Sequence, residues 1–157
     1  MKIIIAAMGK TDAEWVQENI GEYLRRLRKY ADCEFKAFPD IKNAGQLSAA
    51  QRMQKEGQVF MEFFLPGDYV VLMDEQGKQY NSEGFAKQIQ IWQNNSIKRL
   101  IFVIGGAYGF SQEIYQRGQS KISLSAMTFN HQMVRIILLE QIYRAFTILK
   151  GEPYHHK

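Results

Sequence analysis

The chain has 157 residues, 46% of them hydrophobic and 23% charged, which fits one globular domain over 1–157 with a real core and excludes a disordered chain. Its net charge of +4 is compatible with a nucleic-acid partner but does not identify one. Cys33 is the only cysteine and the three histidines lack metal-ligand spacing, so neither an internal disulfide nor a metal site is expected.

The opening MKIIIAAMGK is too short an apolar run for a signal peptide or a membrane span, so a cytoplasmic protein without a membrane partner is expected. Lys2 to Ala7 reads as a strand. Thr11-Asp12-Ala13-Glu14 has capping-box spacing. The helix after it places Val16, Ile20, Tyr23, Leu24 and Leu27 on one face. Arg25, Arg26, Arg28 and Lys29 complement the dipole at its end, and a phosphate-contact patch is the sharper alternative. Glu34 to Phe38 alternates as a second strand, and Pro39 to Leu47 reads as a polar loop. Ser48 begins a second helix with Met53, Phe60, Met61 and Phe64 at helical spacing. Gly57 inside it points to close backbone packing. Pro66-Gly67-Asp68 stops the helix.

Tyr69 to Met73 is a continuous apolar run, expected of a strand buried on both faces, and Asp74 to Lys78 follows as a charged loop. Asn81 or Ser82 caps a third helix carrying Phe85, Ile89, and Ile91 or Trp92. Leu100 to Ile104 is another apolar strand, ending in Gly105-Gly106-Ala107-Tyr108-Gly109. Ser111 caps a short helix after it. Ile122 to Ser125 is the last strand, followed by a turn from Ala126 to Asn130. Asn130 is a good cap for a helix that is apolar nearly all round, from Met133 to Leu149. Such a helix is buried on more than one side. In a chain this short a second subunit is expected to cover part of it. Gly151 is a plausible stop for it.

Strands alternating with helices predict an α/β domain with a largely parallel sheet. Ligands bind beyond the carboxyl ends of strands in such sheets, so the loops after Met73, Ile104 and Ser125 are the candidates. Gly105 and Gly106 would allow close backbone approach to a ligand, or would serve a turn that needs positive φ. Their spacing is not the dinucleotide fingerprint.

The chain carries AAMGK at Ala6–Lys10, EYLRRL at Glu22–Leu27, KEG at Lys55–Gly57, and LMDEQGK followed by SEGFA between Leu72 and Ala86. More specific still are FVIGGAYGFS (Phe102–Ser111), LSAMTFNHQMVR (Leu124–Arg135), EQIYRAF (Glu140–Phe146) and the closing GEPYHHK. In these motifs the chain resembles the ribosomal RNA large subunit methyltransferase H family, within the SPOUT class. Asn130 stands where the family has proline, and His155-His156 stand where its tail has one histidine. The resemblance implies a SPOUT α/β-knot, with a deep trefoil knot in the C-terminal half, and a homodimer. It implies methyl transfer from S-adenosyl-L-methionine to N3 of a pseudouridine in large-subunit ribosomal RNA, on the assembled ribosome and without a metal. Carried over by position, the cofactor touches Met73, Gly105, Gly106, Ser125, Ala126, Met127, Thr128, Phe129 and Asn130. On the substrate side, Tyr154 is a stacking platform for the base, and His155, His156 or water is the acceptor of the N3 proton. Arg135 or Arg144 would favour the anionic base. The alternative is a non-catalytic, ribosome-associated RNA-binding protein with the same fold.

Overall fold

The computed structural model describes residues 1–156. In chain order the elements are β1 (Lys2–Met8), α1 (Glu14–Leu27), β2 (Asp32–Phe38), a 3-10 turn (Ala44–Gln46), α2 (Ala49–Phe63), β3 (Tyr69–Gln79), α3 (Ser82–Asn94), β4 (Arg99–Ile104), α4 (Gln112–Arg117), β5 (Ser120–Ser123) and α5 (His131–Leu149). Among the described residues the strands form one parallel sheet of order β2-β1-β4-β3-β5.

The continuous apolar runs of β1, β3 and β4 are explained by burial on both faces. Ile3, Ile5, Ala7, Val71, Leu100, Phe102 and Ile104 face a core with α1, α3 and α5. Ile4, Ala6, Met8, Val70, Leu72, Ile101 and Val103 face a second core with α2 and α4. Fully burying one such side chain contributes about 2 kcal/mol, so both faces of the central strands are strongly specified. The expected α/β architecture with a parallel sheet is the one observed.

Three local expectations are corrected. The Thr11 capping box does not form. Ala13 occupies the cap of α1, and the Thr11 hydroxyl instead accepts from Arg135 Nη1 at 2.6 Å. A buried guanidinium has more to gain from that oxygen than an exposed helix start has. A capping box forms at α2, where Ser48 Oγ accepts from Gln51 N and Gln51 Oε1 accepts from Ser48 N. The second correction concerns Asp74–Lys78, which is part of β3 rather than a loop. Both Met73 and Lys78 pair with Ile122, so the chain between them makes an excursion and returns to the same residue of β5. Gly77 permits that return, because a Cβ there would stand 2.5–2.7 Å from the Ile122 backbone. Third, β5 ends at Ser123, which leaves Leu124 and Ser125 to the following loop.

Other expectations hold. Gly57 packs closely, with a Cβ at that position falling 2.5 Å from Ser111 Oγ. Asn81, Ser111 and Asn130 all cap their helices through side-chain oxygens. Gly151 adopts φ +66° and ends α5. Trp92, not Ile91, is the buried member of its pair on α3.

Candidate functional site

The Met73–Glu75 segment inside β3 and the loops after β4 and β5 meet at the same edge of the sheet. Met73, Asp74 and Glu75 line a pocket together with Ile122–Ser125, Met127–Phe129 and Val134 of α5. A groove lined by Ile104–Phe110 and Tyr115 shares Met73–Glu75, Thr128, Phe129 and Val134 with that pocket, so the two form one cleft. Of the residues singled out in sequence, Met73, Gly105, Gly106, Ser125, Met127, Thr128 and Phe129 line it. Ala126 belongs to the same loop. Asn130 closes that loop, its side chain engaged with Gln132 N at 2.8 Å.

The 124–130 loop is held by its own short side chains. Ser123 Oγ donates to the Ser125 carbonyl, and Met127 N donates to Ser125 Oγ, both at 2.9 Å. On the opposite wall Asp74 accepts from Gln76 N at 2.8 Å and from the Tyr115 hydroxyl at 2.5 Å. Burial, and then the Asp74 carboxylate, push the Tyr115 hydroxyl up to about 12. The cleft therefore pairs an apolar floor of Met73, Ile122, Leu124 and Val134 with the acidic side chains of Asp74 and Glu75. Such a lining suits a flat apolar ring and a cationic group. Asp74 and Glu75 read as an ordinary charged loop in sequence. The signal that could have singled them out is their position at the end of a doubly buried strand.

Gly105 and Gly106 are not positive-φ turn residues; in their loop that role falls to Gly109, at φ +81°. A Cβ on Gly105 would meet the Phe110 ring at 2.9 Å, and one on Gly106 would meet the Glu56 carboxylate at 2.5 Å.

The residues read for the substrate side form a different cluster, farther along α5. Glu140 Oε1 accepts from Arg144 Nε at 3.0 Å, from Arg144 Nη2 at 2.6 Å and from the Tyr154 hydroxyl at 3.2 Å. The Arg144 guanidinium lies 4.8 Å from the Tyr154 ring centroid, and its Nη1 lies 3.4 Å from His155 Nδ1. The hydrogen bond to Glu140 raises the Arg144 pKa further, so Arg144 is a fixed cation. Burial is the leading cause of the raised pKa of Tyr154, which keeps its hydroxyl neutral. The tail is tied down. Glu152 accepts from the Tyr30 hydroxyl at 2.5 Å and from Lys29 at 3.2 Å, and Tyr154 packs edge-on against Tyr143. Lys157, the last residue of the tail motif, lies outside the described residues.

Arg135 is not part of this cluster. It is fully buried and donates from Nη2 to the Met8 and Gly9 carbonyls at 2.9 and 3.1 Å. Burial lowers its pKa, with Asp12 and Asp40 opposing that shift. From His131 at the cleft to Arg144 at the tail, α5 rises roughly 20 Å. Within one protomer the tail cluster therefore lies farther along α5 than the cleft, and Gln141, which donates to Glu140 at 2.7 Å, lines a side pocket that shares Ile122–Leu124 and Phe129 with the cleft.

A family model described as "Predicted SPOUT methyltransferase" matches residues 1–155. Proteins named ribosomal RNA large subunit methyltransferase H from Christiangramia forsetii, Parabacteroides distasonis and Flavobacterium johnsoniae are 52%, 50% and 47% identical to the chain, each over the full length of both sequences. A solved structure described as a probable methylase family protein from Haemophilus influenzae superposes with a TM-score of 0.57 over 99% of this chain and 70% of that one. At 12% identity it speaks for the fold alone.

Proposed function

We propose a reaction scheme from the premise that this chain belongs to the SPOUT methyltransferase family, among its ribosomal RNA large subunit methyltransferase H members. The chain is a ribosomal RNA methyltransferase. The finer reading is N3-methylation of a pseudouridine in large-subunit RNA, using S-adenosyl-L-methionine, on the assembled ribosome in the cytoplasm. The observation that carries it is the convergence of the Met73–Glu75 segment of β3 and the loops after β4 and β5 into one apolar cleft with an acidic wall.

The lining fits the cofactor. Ile122, Leu124, Phe129 and Val134 would hold the adenine, while backbone groups of the 125–130 loop offer fixed donors and acceptors for its edge. Asp74 and Glu75 would hold the positive charge of the sulfonium. The bound cofactor supplies an already activated methyl group. The chain's own work is alignment and exclusion of water, which is mainly a proximity effect. Arg144, which contacts Tyr154 and His155, would favour an anionic base, Tyr154 would stack on it, and His155 would take its proton. Arg135 acts through the β1–α1 loop that it clamps rather than on the base.

A homodimer reconciles the two clusters. Met127, Phe129 and Met133 are 76%, 37% and 38% exposed at the cleft end of α5, where a second copy would cover them. A twofold axis across α5 would bring the partner's tail to this cleft. The excursion of β3 around Ile122 supports the inference of a trefoil knot. The decisive experiment gives labelled S-adenosylmethionine to the protein with ribosomes that lack the modification. Label in the large-subunit RNA of intact ribosomes, and little in a short free hairpin, is expected. Absence of any transfer would leave the chain as a binding protein with the same fold.

A further inference from the structure

Glu56 is 3% exposed on α2, on the face of the sheet opposite α5. It sits among apolar neighbours of its own helix, with Phe60 one turn on. A carboxylate in such a place is costly unless it is paired and hydrogen-bonded. Its Oε1 accepts from Arg52 Nε at 3.1 Å. The other side of the carboxylate abuts the loop that walls the cleft. A Cβ on Gly106 would stand 2.5 and 2.6 Å from its two oxygens. The absent side chain of Gly106 is thus directed at Glu56. The next residue, Gly57, makes the second contact. A Cβ there would fall 2.5 Å from Ser111 Oγ and 3.3 Å from Ile114. Adjacent residues of α2 therefore seat both ends of the stretch from Gly106 to Ser111. Arg52 extends the contact to its middle, with its guanidinium 5.7 Å from the ring of Tyr108. Between these points the loop closes on itself, since Gly109 N donates to the Gly106 carbonyl at 3.2 Å.

We propose that Glu56 is a positioning residue for cofactor binding: with Arg52 it fixes the Gly105–Gly109 loop from behind, and residue 106 is glycine to seat its carboxylate. The inference rests on the methyltransferase reading of the cleft. It predicts that a larger residue at 106 weakens cofactor binding. Because burial and the bond to Arg52 hold the Glu56 carboxylate, added atoms that meet it push the loop toward the cleft, instead of filling the cleft themselves.

The test is a double-mutant cycle on the full-length protein, with S-adenosylmethionine binding read by calorimetry and initial rates read on ribosomes. Gly106→Ala is expected to weaken cofactor binding about tenfold and Glu56→Ala severalfold, and the double variant should bind no more weakly than Glu56→Ala alone, a strong non-additivity. For Glu56→Gln and Arg52→Met, the KM for the cofactor should rise severalfold while kcat at saturation changes less than about twofold. Those two milder variants carry the test if Glu56→Ala does not fold. A double variant no better than Gly106→Ala would overturn the proposal, because the added methyl group would then occupy cofactor space directly. Wild-type affinity and KM in both Glu56→Gln and Arg52→Met would overturn it as well. A wild-type protein that binds no S-adenosylmethionine would instead overturn the underlying reading of the cleft.

Discussion

The two ends of α5 are built in opposite ways. At its N-terminal end the cleft is walled by glycine backbone, short hydroxyls and apolar side chains, and Met127 and Met133 stand exposed. At its C-terminal end Glu140, Arg144, Tyr143, Tyr154 and Glu152 form a network in which charges and rings are paired. The first end offers shape with the acidic wall of Asp74 and Glu75, and the second offers a cation, Arg144, oriented by its ion pair with Glu140. That division suits a reaction in which the methyl donor arrives already activated, while the acceptor nitrogen still has to lose a proton.

The largest expected effect breaks the comparison at the tail. Deleting residues 152–157 should lower methyl transfer on ribosomes by more than about 100-fold, the scale of losing acid–base and stacking groups together. Cofactor affinity and dimerisation should survive. Loss of cofactor binding in the truncated protein would show that the two ends are not separable. Arg144→Ala should lower the rate with cofactor affinity intact, whereas Arg135→Met should act on folding. Removing the buried Arg135 guanidinium leaves the Met8 and Gly9 carbonyls and Thr11 without their donor. A loss of about 3 kcal/mol in denaturant unfolding is expected. Gly77→Ala should cost about 2 kcal/mol, because the Ile122 backbone cannot move aside as a flexible side chain would.

The smallest effect concerns the cleft wall. Tyr115 is held at about 12, above the ordinary tyrosine value, by burial and by Asp74. A folded-state pKa raised above the unfolded one contributes stability that is fully present below pH ~10 and is lost as pH rises through about 12. Ultraviolet titration should show Tyr115 among the late-ionising tyrosines, together with Tyr154 and Tyr30, and Tyr115→Phe should remove one of them. The stability of Tyr115→Phe should fall less steeply over that window. An unchanged slope in the variant would detach Tyr115 from Asp74.

Much of this was legible in the sequence. The doubly apolar runs of β1, β3 and β4 announced a parallel sheet, and Asn81, Ser111 and Asn130 announced their helices. The three regions after Met73, Ile104 and Ser123 do converge, although the first is a continuation of β3 and not a loop. Thr11 misled because its spacing fits a capping box equally well whether or not a buried arginine competes for its oxygen. Glu56 went unnoticed although its position was informative: it falls on the apolar face of α2, three residues after Met53 and four before Phe60.

What the sequence by itself determined is therefore local: element types, most caps and which strands lie inside, all set by periodicity and short-range hydrogen bonding. Tertiary structure alone decided where Arg135 goes, that β3 runs on past Met73 around Ile122, and which atoms the glycine at 106 makes room for. The reason is physical. Each of those outcomes depends on a partner distant in the chain, and a sequence pattern carries no record of what packs against it.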